Sequence, residues 1–437
     1  MGIMKRVLII TYYWPPSGGS GVQRWLKFVK YLRDFGYEPI VYTPLNPEFM
    51  AVDNSLLSEI PADVEVLKRE ITEPYSIYKL FTGKKSSGVK PGFINSSSGK
   101  SKVTERISLF IRSNLFIPDP KMLWILPSAR FLIKYIKKSS VDAIVSTGPP
   151  HSMHLIAKRV SKATGTPWLA DFRDPWTKMY NFKYLGCTSP VLAIHRALEK
   201  SVIASADAVV TVTNTIAGEL SDLNPKRIDV ISNGYDHADF PEIPIIQEES
   251  FTITYTGLFV PTQNPSSLWR ILGERVSRDI EFSKNLKIRI IGDADSSISD
   301  EIIACGLEKH LIKMEYTPHD EVVLWQRRSR ILLLSGGREP ESKGIMTGKF
   351  FEYLAAARPI LGFGPKGGDM DIALQESGAG EMFDYEDYQG VARWLDDKYD
   401  NYIRGVETDV KSDISKYSRR ELTRRVAGVL DDISKKI

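Results

Sequence analysis

The chain has 437 residues, 42% hydrophobic and 26% charged, which is ordinary for a soluble globular protein and too long for one compact core, so two or three domains are expected. Lysine and arginine total 58 against 54 acids, a net charge of only +4; this argues against a generally basic nucleic-acid binder and leaves room for a local basic patch. The two cysteines, Cys187 and Cys305, have neither zinc-site spacing nor the density of a disulfide scaffold, which points to a reducing compartment.

No run reaches the roughly 18 to 20 apolar residues that a membrane-spanning helix needs. The first apolar run, 7–13, is short, ends in aromatics and has no small-residue cleavage site, so it reads as a buried strand and not as a signal peptide. A cytoplasmic protein is expected.

Short apolar runs then alternate with amphipathic stretches, the pattern of βαβ units and parallel sheets. In chain order the first half reads as a strand at 7–12, a glycine-rich turn at 17–21, a helix at 22–35 ended by Gly36, and a strand at 39–43. A Gly-, Ser- and Lys-rich stretch at 82–102 follows, with seven basic residues against one acid between 84 and 112. It reads either as a solvated surface loop or, with the apolar segment 107–126 behind it, as a contact for anionic lipid. A strand at 143–146, a helix at 151–162 and strands at 168–171, 208–212 and 228–231 complete this half.

Residues 241–249, with two prolines and no periodicity, read as a linker. The alternation then restarts: strands at 251–255, 286–291, 331–334 and 359–363, helices at 266–277, 319–328, 347–357 and 387–399. A charged amphipathic helix at 413–437 is able to pack on either half. The expected domains are 1–240 and 250–412, each a Rossmann-like doubly wound parallel sheet, with 413–437 crossing back to the first.

Parallel sheets of this kind bind ligands in the crevice at the carboxyl ends of their strands, and the informative motifs all follow strands. Ser17-Gly18-Gly19-Ser20-Gly21 lets the backbone approach a ligand at a helix N-terminus. Its spacing is not the G-x-G-x-x-G of dinucleotide binders, and the second strand ends Val41-Tyr42-Thr43 without the acid that holds an NAD ribose, which disfavours a dehydrogenase. In the segment 344–352, Thr347 is a suitable N-cap, so the amides of Gly348 and Lys349 are free. Lys349 and Glu352, three apart on one helix face, suit a diphosphate and a ribose diol; the plain alternative is a surface ion pair.

In Thr147-Gly148-Pro149-Pro150-His151-Ser152-Met153-His154, the two histidines lack a third ligand and make a poor metal site. A neutral hydrogen-bonding role fits His151, and a packing role His154. The run Asp171-Phe172-Arg173-Asp174-Pro175-Trp176 either grips sugar hydroxyls through Asp171, Arg173 and Asp174 or holds a loop by an internal ion pair. Asp293-Ala294-Asp295 reads as a helix cap in preference to a metal-binding D-x-D.

Together, residues 5–24 with Tyr13-Trp14-Pro15-Pro16-Ser17-Gly18-Gly19, residues 171–176, Asn233-Gly234-Tyr235-Asp236, Tyr255-Thr256-Gly257 and residues 347–352 resemble the retaining glycosyltransferases of family four. The resemblance spans nearly the whole chain. It implies the α/β GT-B fold, two Rossmann-like domains facing one cleft, with a UDP- or GDP-linked sugar bound mainly by the C-terminal domain and the acceptor mainly by the N-terminal one. It implies no metal and no cofactor beyond the nucleotide-sugar co-substrate.

Carried over by position, Glu352 matches the second glutamate of the E-x7-E signature, which holds the ribose. Gly18 and Gly19 approach the donor phosphates, Gly257 begins the donor loop and Tyr316 lies near the base. Two departures stand out. Gly344 occupies the place of the first glutamate, and residues 260–267 carry none of the basic residues usual after Gly257, so Lys349 has to supply that charge.

The expected activity is retaining sugar transfer to a glycan or lipid-linked acceptor in surface polysaccharide assembly, with the leaving diphosphate stabilised by Lys349 and the amides of Gly19 and Gly348, and with His151 orienting the sugar. Donor contacts are expected from Gly18, Gly19, Gly257, Tyr316, Gly344, Thr347, Gly348, Lys349 and Glu352. A nucleotide-sugar epimerase or hydrolase, using His151 with Asp171, and a non-catalytic nucleotide-sugar-binding scaffold are the alternatives. No nucleic-acid partner is expected; attachment to the anionic inner face of the membrane through 84–126 is.

Overall fold

The computed structural model describes residues 4–48, 52–72, 110–111, 113–179, 182–241, 243–315, 317–406, 410 and 413–435. The chain divides into two compact units, Met1–Ser232 with Arg419–Ile437, and Asn233–Ser418.

The N-terminal unit is built on seven strands: β1 (Lys5–Ile10), β2 (Tyr37–Pro44), β3 (Glu65–Arg69), β4 (Ala143–Gly148), β5 (Trp168–Phe172), β6 (Ala208–Thr211) and β7 (Ile228–Val230). They pair in the order β3-β2-β1-β4-β5-β6-β7, all parallel. Side chains alternate across a strand, so Leu8 and Ile10 join one apolar layer while Val7 and Ile9 join the layer on the other face. Burial on both faces is why the central strands carry near-continuous apolar runs.

Helices α1 (Ser20–Tyr31), α2 (Ile125–Lys138), α3 (Ser152–Thr164), α4 (Ser189–Ser205) and α5 (Asn214–Ser221) connect the strands. The helix expected at 22–35 starts two residues earlier and tightens into a 3-10 turn at Leu32–Phe35, which ends at Gly36 with φ 81°.

The Asn233–Ser418 unit repeats the scheme with β8 (Phe251–Thr256), β9 (Leu286–Ile291), β10 (Leu311–Met314), β11 (Ile331–Ser335), β12 (Ile360–Phe363) and β13 (Gly380–Phe383), in the order β10-β9-β8-β11-β12-β13. Its helices are α6 (Ser266–Arg278), α7 (Ile280–Asn285), α8 (Ser296–Ala304), α9 (His319–Arg328), α10 (Gly348–Ala356), α11 (Asp369–Ser377) and α12 (Tyr388–Ile403). The expected linker at 241–249 packs on this unit, where Glu248 pairs with Arg289 at 2.7 Å. The chain enters and leaves side by side, with Tyr235 bridging to Ser418.

The last helix, α13 (Arg419–Ser434), returns to the N-terminal unit. Leu422, Val426, Leu430 and Ile433 share an apolar cluster with Val22, Leu26 and Val29 of α1, and Asp431 pairs with Lys5 at 2.6 Å. No helix among the described residues is long and apolar enough to cross a membrane. In each sheet the strand order reverses beside the first strand, at β1/β4 and at β8/β11. Those reversal points are where open parallel sheets bind ligands, and the candidate motifs lie there.

Candidate functional site

In the C-terminal unit, the turn after β8 begins at Gly257 (φ 92°), a conformation that favours glycine. The loop after β11 leads through Gly344, which closes a 3-10 turn at Pro340–Gly344 and is buried there with Ser342, to α10. Thr347 stands at the N-cap with extended backbone (φ −75°, ψ 153°), yet its hydroxyl makes no cap bond. Its Oγ1 is enclosed and has no hydrogen-bond partner among the described residues. A cap of this type ordinarily satisfies one of the helix's own amides; here the hydroxyl and the first amides of α10 are left for something else.

Lys349 Nζ donates to Tyr255 Oη at 2.6 Å and sits 3.9 Å from the centre of that ring. A β-carbon placed on Gly257 would lie 3.6 Å from Nζ. Tyr255 in turn stacks on Phe259 with centroids 3.8 Å apart. Burial in this aromatic sleeve pulls the ammonium down from 10.5 to about 7, against the opposing charge of Glu352. Burial pushes the Glu352 carboxyl the other way, but His319, Gln326 and Lys349 more than offset it and hold the group below the usual range. His319 Nε2 lies 3.3 Å from Glu352 Oε1, and Gln326 Nε2 donates to Oε2 at 3.2 Å and to Thr256 Oγ1 at 3.2 Å.

Thus Gly257, Thr347, Gly348, Lys349 and Glu352 gather at one reversal point, with Gly344 three residues before Thr347; Tyr316 lies outside the described residues. Tyr255 stood in the Tyr255-Thr256-Gly257 motif with no role given to it, and Gln326 was not singled out by the sequence. Gln326 carried a signal, a polar residue on the core-facing side of α9, where it is fully buried. Asp295 caps α8 by accepting from Ser297 N at 3.0 Å, as expected from the sequence. Arg338, on the loop after β11, is engaged with Asn264 O at 2.6 Å and over the Tyr385 ring.

In the N-terminal unit, Gly19 precedes α1 with φ 97°, and Gly18 lies beside it in the same turn. Gly21 is crowded by Arg173: a β-carbon there would come within 2.7 Å of Nη1. Arg173 Nε donates to Gly148 O at 3.2 Å and Nη2 to Pro149 O at 2.5 Å, tying the turn after β5 to the turn after β4.

Asp171 is fully buried. It accepts from Arg24 at 3.0 Å, Trp25 Nε1 at 2.7 Å and Thr147 Oγ1 at 2.8 Å, while Arg24 also donates to the carbonyls of Ile231 and Ser232. Of the two roles open for this residue, the internal brace is the one its contacts fill; its oxygens are taken up, which corrects the expectation that it meets a sugar or activates water. Burial raises its carboxyl, but Arg24 and its hydrogen bonds lower it by more, for a net depression. Asp174, by contrast, makes no hydrogen bond among the described residues, and burial raises its carboxyl, partly opposed by Arg173.

His151 is 8% exposed and lies flat on Trp176, ring centres 4.4 Å apart and planes 2° from parallel. Its basicity is well below normal, because of burial first and then His154, Arg173 and His195. It is therefore neutral, as the sequence suggested. His154 stacks on Phe172 at 4.4 Å. Of the expected lipid-contact segment, residues 84–109 and 112 lie outside the described residues; Phe110, Leu115, Leu123 and Leu126 are all exposed.

Residues 85–239 match the family described as Glycosyltransferase Family 4. No curated protein matches the chain. Among solved structures, the chain is similar to Anabaena HepE in complex with UDP-glucose, at 12% identity and TM-score 0.55, covering 99% of this chain and 98% of that one. It is similar to S. aureus TarM in complex with fondaparinux, alpha-GlcNAc-glycerol and UDP, at 11% identity and TM-score 0.58, covering 98% and 100%. It is also similar to a putative UDP-N-acetylglucosamine 2-epimerase from Listeria monocytogenes, at 10% identity and TM-score 0.55, covering 99% and 98%. End-to-end coverage of both chains at such low identity speaks to architecture: two Rossmann-like parallel-sheet units, the GT-B fold.

Proposed function

We propose that the protein is a glycosyltransferase that moves a sugar, with retention, from a UDP-linked donor to a glycan or lipid-linked acceptor in surface polysaccharide synthesis. The observation that carries this reading is the start of α10, where an enclosed Thr347 hydroxyl without a partner, free helix amides and Lys349 stand together one turn before a carboxylate kept ionised. Amides and a cation suit a diphosphate, and Glu352 accepts from a ribose diol. The family match at 85–239 supports sugar transfer, and the UDP and UDP-glucose of similar structures favour a UDP-linked donor.

In transfer with retention, the bond from the anomeric carbon to the β-phosphate oxygen breaks as the acceptor oxygen bonds to that carbon from the same side. The acceptor's proton passes to the departing phosphate oxygen. No carboxylate nucleophile is required. Lys349 and the Gly348 amide stabilise the charge that develops on UDP, and no metal is needed for that role. On the N-terminal unit, the Gly18–Gly19 turn offers backbone amides, His151 a neutral imidazole, and Arg173 with Asp174 groups that pair with hydroxyls. The exposed Phe110, Leu115, Leu123 and Leu126 support docking on an anionic lipid surface that presents the acceptor; sedimentation with phosphatidylglycerol vesicles, lost in high salt, is the expected result.

A thermal-shift screen of UDP, GDP, ADP and their sugars tests the donor. UDP compounds are expected to raise the melting temperature, and Lys349→Met to remove the shift. Turnover of donor without acceptor would replace this reading by epimerisation or hydrolysis, and tight UDP binding with no turnover by a scaffold role.

A further inference from the structure

Two buried imidazole nitrogens in the N-terminal unit, His151 Nδ1 and His154 Nε2, have no hydrogen-bond partner among the described residues, and both face one spot. A β-carbon on Gly148 would lie 2.5 Å from His154 Nε2 and 3.3 Å from His151 Nδ1. Only a glycine leaves that spot clear.

The protons on these rings follow from their other contacts. Trp168 Nε1, which is only a donor, gives its hydrogen to Ser146 Oγ at 2.8 Å. Ser146 Oγ lies 2.8 Å from His154 Nδ1 and makes no side-chain hydrogen bond besides these two among the described residues, so that nitrogen is the one acceptor open to the serine hydrogen. His154 therefore carries its own hydrogen on Nε2, the atom aimed at the Gly148 spot. The same reasoning fixes the platform below: Trp176 Nε1 donates to His195 Nδ1 at 3.0 Å, which sets the plane on which His151 stacks.

With an N–H of His154 directed at that spot, a second N–H from His151 Nδ1 would oppose it in a region of low dielectric. The lone pair on Nδ1 is favoured, which leaves the hydrogen of His151 on Nε2, its nitrogen that is not fully enclosed. Burial and Arg173 keep both rings neutral, His154 down at about 3 despite the opposing charge of Asp171.

We propose that the chain Trp168–Ser146–His154 is a positioning device that locks His151 in its Nε2–H form, making His151 a hydrogen-bond donor to a substrate hydroxyl oxygen. The contact with substrate rests on the transferase reading, whereas the tautomer does not. His154 and Ser146 act through His151 and need not touch the substrate.

The test is a long-range ¹H–¹⁵N correlation spectrum of histidine-labelled full-length protein, with His151 and His154 assigned by single substitution. The expected result is unprotonated Nδ1 and protonated Nε2 on both rings, and Ser146→Ala should mix the tautomers of both. An Nδ1–H form of His151 in the unaltered protein, or a His151 unmoved by Ser146→Ala in the folded variant, would overturn the proposal. His154→Phe, which keeps the ring on Phe172, is expected to lower kcat/KM for transfer about tenfold with UDP affinity unchanged, the size of one misoriented hydrogen bond. Should transfer be absent altogether, the spectrum still decides the tautomer, and only the transferase reading fails.

Discussion

A lysine ammonium enclosed by a tyrosine ring and a tyrosine hydroxyl is poorly solvated, and Lys349 shows the consequence in a basicity drawn down to about 7. In the proposed donor site the charged form meets the diphosphate, so above that value the free protein must take up a proton on binding. UDP affinity is therefore expected to fall as pH rises from about 7 to about 9, by up to tenfold per unit, while Lys349→Arg stays flat over the same range. Titration calorimetry at stepped pH reads both; a pH-independent affinity in the unaltered protein would remove the ammonium from the site. The folded state disfavours the charged lysine, so its stabilising effect as a neutral group is lost as pH falls below the unfolded value, and Lys349→Met is expected to raise the melting temperature near neutral pH. The placement of Lys349 and Glu352 on one helix was legible in their spacing. The Tyr255 sleeve was not, because it joins residues 94 positions apart that only the β8/β11 neighbourhood brings together.

At the scale of elements, two threonine caps behave differently. Thr213 accepts from Ile216 N and so caps α5, and Thr213→Ala is expected to cost ~1 kcal/mol. Thr347 makes no such bond. Thr347→Val, close in shape, is expected to leave stability equal or raised and to weaken UDP binding about tenfold, the loss of one hydrogen bond to a charged group. Denaturant melts and calorimetry on the two variants separate a structural cap from a ligand contact. The interior strands were readable because burial on both faces imposes apolar runs on them. The edge strand β3 was missed, since Glu65, Lys68 and Arg69 break its run where solvent covers it. Helix α4 escaped notice for a related reason: it buries His195 and Glu199 among its apolar residues, where Glu199 serves the loop at Trp176 and Thr177.

At the scale of the molecule, the chain makes two cores and then returns to the first. Because α13 belongs to the N-terminal unit's core, Leu430→Ala is expected to lower the stability of that unit by ~2–5 kcal/mol and to leave the unfolding of the Asn233–Ser418 unit in place. Two-step melts followed by calorimetry check this; a shift in both transitions would contradict it. The return was foreseeable as an amphipathic pattern, but the choice of partner depended on the apolar stripe of α1, which pattern alone does not match to a distant helix. Two sheets, each reversing beside its first strand, place one reversal point in each unit, and the proposed donor site lies at the second. A crystal structure of the full chain with UDP tests it most directly. The diphosphate is predicted against the amides of Gly348 and Lys349, with Thr347 Oγ1 and Lys349 Nζ in contact and the ribose on Glu352. UDP bound elsewhere, with Lys349 still on Tyr255 and the Thr347 hydroxyl uncontacted, would contradict the account.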